Sequence, residues 1–233
     1  MDASLMDSGP PRDVGPLPFV AVRVHVSSTG QWHAALVYWS EEERKFHQID
    51  LAFHNHLRRM VCRFEQGAWV RVVVPDDGAR IALQNLVAMC RSVADRYAIR
   101  REGIPYGTSY AGGLFTIGDG AYSRDVERES GLTCATFVLS LFESVEWPLV
   151  DRASWPEDPE RCARWRDGVV SSLLQAGFTE QADRVRGDAV CVRFLPTEVA
   201  GACLWPSPEV SFTKAREGAD HVERAATGST RGA

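Results

Sequence analysis

The sequence predicts an α+β domain in which an antiparallel sheet packs against a helix bearing a nucleophilic cysteine. Three observations lead there. Strand-like runs crowd the first 74 residues, an amphipathic helical stripe follows them, and a glycine- and aromatic-rich segment then delivers a short apolar helix that opens at Cys134.

Residues 18–26 (PFVAVRVHV) alternate strictly. Val20, Val22, Val24 and Val26 take one face, and Ala21, Arg23 and His25 the other, which predicts a half-buried strand. With Arg23 beside it, His25 is expected to point to solvent. After the turn SSTG, residues 31–39 (QWHAALVYW) read as a second strand and residues 45–51 (KFHQIDL) as a third, joined by the polar loop SEEER as a hairpin. Residues 68–74 (AWVRVVV) make a fourth. Pro75-Asp76-Asp77 then opens a helix on which Leu83, Leu86, Val87, Cys90, Val93, Ala94 and Tyr97 recur at three- and four-residue intervals.

The segment 103–131 has no clean period, and long loops inside compact domains tend to be functional. It ends in GLTCATFVLSLFESV, a short helix for which Thr133 is the expected N-cap, placing Cys134 in the first turn. A helix over 158–175, a last strand over 189–195 and a short helix from Pro196 complete the reading. Residues 1–16 read as a disordered arm, 17–205 as a single domain and 206–233 as a flexible, frayed tail.

Composition narrows the function. Hydrophobic residues at 45% and charged residues at 24% are ordinary globular values, and a formal charge of −5 without a basic stripe argues against nucleic acid as partner. Six cysteines are present and none forms a C-x-x-C pair, so neither a structural zinc nor another cofactor is expected. The start of the chain has no basic-then-apolar pattern and no run approaches the roughly 20 apolar residues of a membrane span. The expectation is a protein without a transmembrane segment, cytoplasmic as synthesised, with free thiols, and open to export by a route needing no cleaved signal.

Cys134 is the centre of the chemical case. The first turn of a helix offers unpaired backbone N–H groups and the positive end of the helix dipole; both favour the thiolate, and the N–H groups can also stabilise an oxyanion. Gly131 just upstream would let backbone approach a substrate. A thiolate nucleophile needs a base, and of the six histidines His33 is best placed: it opens a strand that reads as buried, whereas His54 and His56 flank a solvated turn and His221 lies in the tail. A third polar group would orient the imidazole. If the second and third strands pair with an even index sum, His33 and His47 share a sheet face; a one-residue slip would bring the residues on the other alternation, Gln48 and Asp50, to that face instead. His47 is the first choice for this role and Gln48 the second.

These residues resemble a known family. G-L-T-C-A-T-F-V is similar to the nucleophile helix of the NlpC-type superfamily of papain-like cysteine peptidases and amidases. Ile104-Pro105-Tyr106-Gly107 resembles the segment whose tyrosine stands beside the nucleophile, and Tyr110-Ala111-Gly112-Gly113 echoes the glycines after it. Every plausible histidine precedes Cys134, the order of the circularly permuted branch, which includes relatives of lecithin retinol acyltransferase and many bacterial proteins. Thr133 and Ala135 stand where the family often has Asp or Asn and Ser or Gly. The resemblance implies a papain-like fold, Cys134 as nucleophile, His33 as base, His47 as orienting residue and Tyr106 as substrate-positioning residue.

Three functions follow for comparison. A thiol hydrolase would cleave an amide bond (peptide, isopeptide or peptidoglycan-type) through a Cys134 thioester. An acyltransferase would use the same site with another acceptor. A non-catalytic module would use the loop aromatics to bind a partner. A Cys134 sulfur and a His33 ring nitrogen far beyond hydrogen-bond reach would exclude catalysis through that pair.

Overall fold

The computed structural model describes residues 6–7, 11, 18–27, 30–64, 67–99, 103–188, 192–206 and 208–228. Six strands form one antiparallel sheet: β1 (Met6–Asp7), β2 (Val20–Val26), β3 (Trp32–Ser40), β4 (Lys45–Phe53), β5 (His56–Val61) and β6 (Ala68–Arg71), in the order β1-β6-β2-β3-β4-β5. Strict alternation sorts its side chains. Val20, Val22, Val24, Leu36, Tyr38, Ile49 and Leu51 face a core shared with α1 (Asp77–Ile99) and α2 (Cys134–Glu143). The opposite face carries a smaller apolar cluster of Phe19, Ala21, Val37 and Trp69. The α1 stripe is buried as its spacing predicts, and the Asp76 carboxylate caps the helix by accepting the Ala79 N–H at 2.8 Å.

Between these helices the chain forms a two-stranded ribbon, β7 (Leu114–Phe115) with β8 (Tyr122–Ser123). Glu129 ties the loop together, accepting the Ala111 and Gly113 N–H groups at 3.0 and 2.9 Å and the Tyr122 hydroxyl. The remaining helices are α3 (Pro159–Gln175), α4 (Thr179–Arg186), α5 (Pro196–Ala202) and α6 (Phe212–Gly228).

Several expectations change. Of the tail expected over 206–233, the described residues 208–228 are ordered: α6 buries Ala215, Ala219, Val222 and Ala226, and Ala215 and Val222 join the main core, while 207 and 229–233 lie outside the described residues. Its small residues hide an amphipathic stripe, and they let two helices meet backbone to backbone. A Cβ on Gly218 would lie 2.4 Å from Gly201 O of α5. The single domain thus extends beyond residue 205. Within the arm expected over 1–16, Met6–Asp7 pair with Trp69 and Val70, while most of that stretch lies outside the described residues. Of the strand expected over 189–195, residues 189–191, Cys191 among them, lie outside the described residues, and 192–195 are not in a strand. The strand β5 and the helix α4 were not expected, because the paired arginines of HLRRMV and the charge-rich TEQADRVR mask their apolar positions.

Gly131 has a role other than substrate access. It sits at φ +151°, and a Cβ there would lie 2.3 Å from Pro105 O. The bare backbone lets 105–107 run alongside 131–132, with Leu132 N donating to Pro105 O at 2.9 Å and Gly107 N to Leu132 O at 3.2 Å. Gly131→Ala is therefore expected to lower the unfolding free energy by about 1–3 kcal/mol, read as a fall in the urea midpoint at unchanged slope.

Candidate functional site

Helix α2 begins as its sequence dictates. Thr133 adopts an extended conformation, its hydroxyl accepts the Thr136 N–H, and the Thr136 hydroxyl in turn accepts the Thr133 N–H at 2.7 Å, a reciprocal capping box. Cys134 is thereby the first helical residue, and its amide is one of the four at a helix start without an intrahelical acceptor. The next turns carry Phe137, Val138 and Leu141 into the core, which anchors the helix axis and so the thiol.

His33, at the start of β3, lies near this thiol, and the two side chains border one cavity. Its Nε2 lies 2.7 Å from Asp50 Oδ2. That contact leaves Nδ1 as the ring nitrogen for sulfur. Asp50 is fully buried, and its Oδ2 also accepts Nε and Nη2 of Arg58 at 3.0 and 2.5 Å. Burial opposes a charged imidazole, but the hydrogen bonds to Asp50 and Cys134 outweigh it and raise the His33 pKa from 6.5 to about 9. Burial would likewise push the Asp50 carboxyl up, yet the bonds from His33 and Arg58 hold it below its usual value. The raised pKa favours the charged form of the His33 ring at neutral pH.

The structure brings Cys134 and His33 together and leaves His47 apart. Strands β3 and β4 pair Tyr38 with His47, Val37 with Gln48 and Leu36 with Ile49, an odd index sum. His47 therefore faces the core beside Tyr38, with ring centroids 5.8 Å apart and Nε2 3.0 Å from Glu43 Oε2. Gln48 is on the alternation of His33, but its Oε1 accepts Arg23 Nη1 at 2.6 Å. Asp50, on that same alternation, is the residue that orients His33. The register decides this, and turn geometry across the SEEER loop fixes the register.

His25 also departs from expectation. Arg23 is buried against Gln48, and the half-buried His25 ring lies 5.3 Å from the His33 ring, edge to face. Desolvation, then Arg23 and His33, lower its pKa to about 4, so it stays neutral beside the His33 cation. His54 is more than a solvated turn residue: its Nδ1 accepts the Tyr106 N–H at 3.2 Å. The Tyr106 carbonyl accepts from Gln181 Nε2 at 2.8 Å, and Tyr106 bridges to Leu132, two residues before Cys134. Burial above all raises the Tyr106 pKa, leaving a neutral hydroxyl at the site.

Cys134, His33, Tyr106 and Arg58 line a cavity of about 1100 Å³ with Trp32, Phe53 and the α3 residues Arg161, Arg164 and Trp165. The other described cysteines are buried: the Cys62 thiol is pushed up to about 11, and burial raises Cys90 and Cys203 further. Among the described residues no group of three His, Cys, Asp or Glu could hold a metal ion, and no helix is long and apolar enough to cross a membrane.

Two outcomes are expected from the His33–Asp50 pair. In Asp50→Asn the loss of the carboxylate lowers the His33 pKa by more than about one unit, read by NMR titration. Because the folded-state pKa is raised, the stabilisation it brings is complete below pH 6.5 and is lost as pH rises through about 9. Over that window the wild type should lose up to about 3 kcal/mol of urea stability relative to His33→Gln.

No protein-family model matches the chain, and no curated protein or solved structure is significantly similar to it.

Proposed function

We propose that this protein is a cysteine-dependent hydrolase that cleaves an amide bond, of peptide, isopeptide or peptidoglycan type, through a thioester on Cys134. The observation that carries the reading is the placing of Cys134 and His33 side by side on the wall of one open cavity, with His33 held at 2.7 Å by the buried Asp50. Nucleophile, base and orienting group stand in the order that thiol acyl transfer requires.

In the first half-reaction the Cys134 thiolate attacks the carbonyl carbon. The oxyanion that forms meets the Cys134 amide at the start of α2. The His33 imidazolium gives its proton to the leaving nitrogen, the C–N bond breaks and the thioester remains. In the second half, neutral His33 takes a proton from water while the hydroxide attacks the thioester. The acid departs, and the thiolate–imidazolium pair is restored. Asp50 holds the ring in one orientation and stabilises its charge throughout, and the Tyr106 hydroxyl positions the substrate carbonyl.

The fold belongs to the same proposal. A sheet whose base-bearing strands precede the nucleophile helix, with Pro105-Tyr106-Gly107 running beside it, supports a papain-like domain in circularly permuted order. The placing of Cys134 beside an Asp50-held His33 in one cavity favours catalysis over a purely binding role.

Site-resolved alkylation with iodoacetamide, followed by mass spectrometry against pH, tests this. Cys134 should react at least about tenfold faster near neutral pH than an ordinary thiol of pKa ~8.5, and lose that advantage in His33→Ala. A Cys134 that reacts like an ordinary thiol, or that is indifferent to His33, sinks the hydrolase reading. Cys134→Ser should keep the urea stability within about 1 kcal/mol while abolishing turnover.

A further inference from the structure

The cavity at Cys134 runs against the charge of the whole molecule. The chain carries a formal charge of −5, yet the cavity wall holds Arg58, Arg161, Arg164 and Arg193, and no aspartate or glutamate is among its described lining residues. Arg58 is committed to Asp50, and Arg193 lies over the Trp165 ring at 5.2 Å from its centroid. Arg161 and Arg164 are exposed and project from one face of α3, since residues three apart on a helix are neighbours.

That face continues through Trp165, Gly168, Val169 and Ser172, all of which border the cavity. Gly168 is informative. Glycine inside a helix costs about 1 kcal/mol relative to alanine, and a Cβ added here would meet nothing within 4 Å. Packing therefore does not demand it. It leaves the helix surface bare beside the two arginines. On the far side of Arg161 and Arg193 a separate depression is lined by Glu157, Asp158, Glu160 and Glu198, and the charge of Arg161 also acts on the buried Glu198. Arg164 borders the cleft at Cys134 and is not among the residues that line this depression.

We propose that the cleft takes a substrate whose scissile amide is flanked by an oxyanionic group, a carboxylate or a phosphate, held by Arg161 and Arg164. The planar guanidinium fork matches both groups. The Trp32 and Trp165 rings border the space between this anchor and the thiol, and would contact the intervening part of the substrate. The inference rests on Cys134 as the nucleophile and adds the class of molecule presented to it.

Paired alkylating reagents separate the two ideas. Iodoacetate and iodoacetamide deliver the same electrophilic carbon, one with a carboxylate and one without charge. The ratio of their rates at Cys134 is compared with the ratio at the same cysteine in the urea-unfolded chain. The folded protein should favour iodoacetate by at least about threefold more than the unfolded chain does. The preference should weaken as salt is raised and fall by more than half in Arg161→Gln/Arg164→Gln, whose fold is checked by circular dichroism. Protection from iodoacetamide then names the source of the charge. Triglutamate alone protecting identifies a carboxylate, inorganic phosphate alone protecting identifies a phosphate, and both supports the shared chemistry, with trilysine inert in each case. An iodoacetate ratio equal to that of the unfolded chain, a preference that survives the double substitution, or no protection by either anion overturns the proposal. The hydrolase reading stands through any of these if iodoacetamide still reacts fast in a His33-dependent manner. Slow reaction of Cys134 with both reagents overturns both.

Discussion

A carboxylate removed from water must be met by positive charge or by donors, or it will not stay ionised. Asp50 is fully buried, and two groups meet it on one oxygen: the His33 ring from β3 and the Arg58 guanidinium from β5. The three strands that supply these residues are adjacent in the sheet, and Asp50 stands directly across from Arg58. The site therefore depends on register. A slip of one residue in β4 would carry Asp50 to the helix-packed face and strand His33 without its partner. The same alternation that buries Leu36, Ile49 and Leu51 under the helices also turns Asp50 toward His33, so core packing and site assembly are enforced together.

The thiol is held by different means. Its place comes from a capping box that fixes where α2 begins, and from a run of apolar side chains that leaves the helix no freedom to slide. The parallel contact of residues 105–107 with 131–132 then sets Tyr106 beside it, held from outside by His54 and Gln181. Cys90 and Cys203, buried without a charged partner, are kept as thiols by desolvation and serve as small apolar side chains. What sets Cys134 apart from Cys90 and Cys203 is its place at the start of a helix, on the wall of a cavity that His33 shares.

The wall opposite the sheet comes from α3, whose polar, arginine-rich face lines the cavity while Val170 and Leu173 pack with Ala182 and Val185 of α4. Cys134, His33 and Asp50 thus sit on the sheet and α2, and the surface facing them sits on a separate helix pair.

By itself the sequence determined what local physics controls. Strict alternation in VAVRVHV, the three- and four-residue stripe of α1 and the Thr133 cap that makes Cys134 the first helical residue are all short-range patterns, and each element formed where its pattern lay. His33 was legible for the same reason, as a polar residue opening a buried strand. The orienting residue was not. His47 and Asp50 lie three residues apart on one strand, and only the pairing of β3 with β4 decides which faces His33. Arg58 was hidden in a strand broken by paired arginines, and α6 in a stretch whose alanines look like a tail until α5 packs against them. The arginine face of α3 reads as a solvated helix surface until the sheet stands opposite it. In each case the deciding contact joins residues distant in sequence, and its energy exists only once the chain has closed.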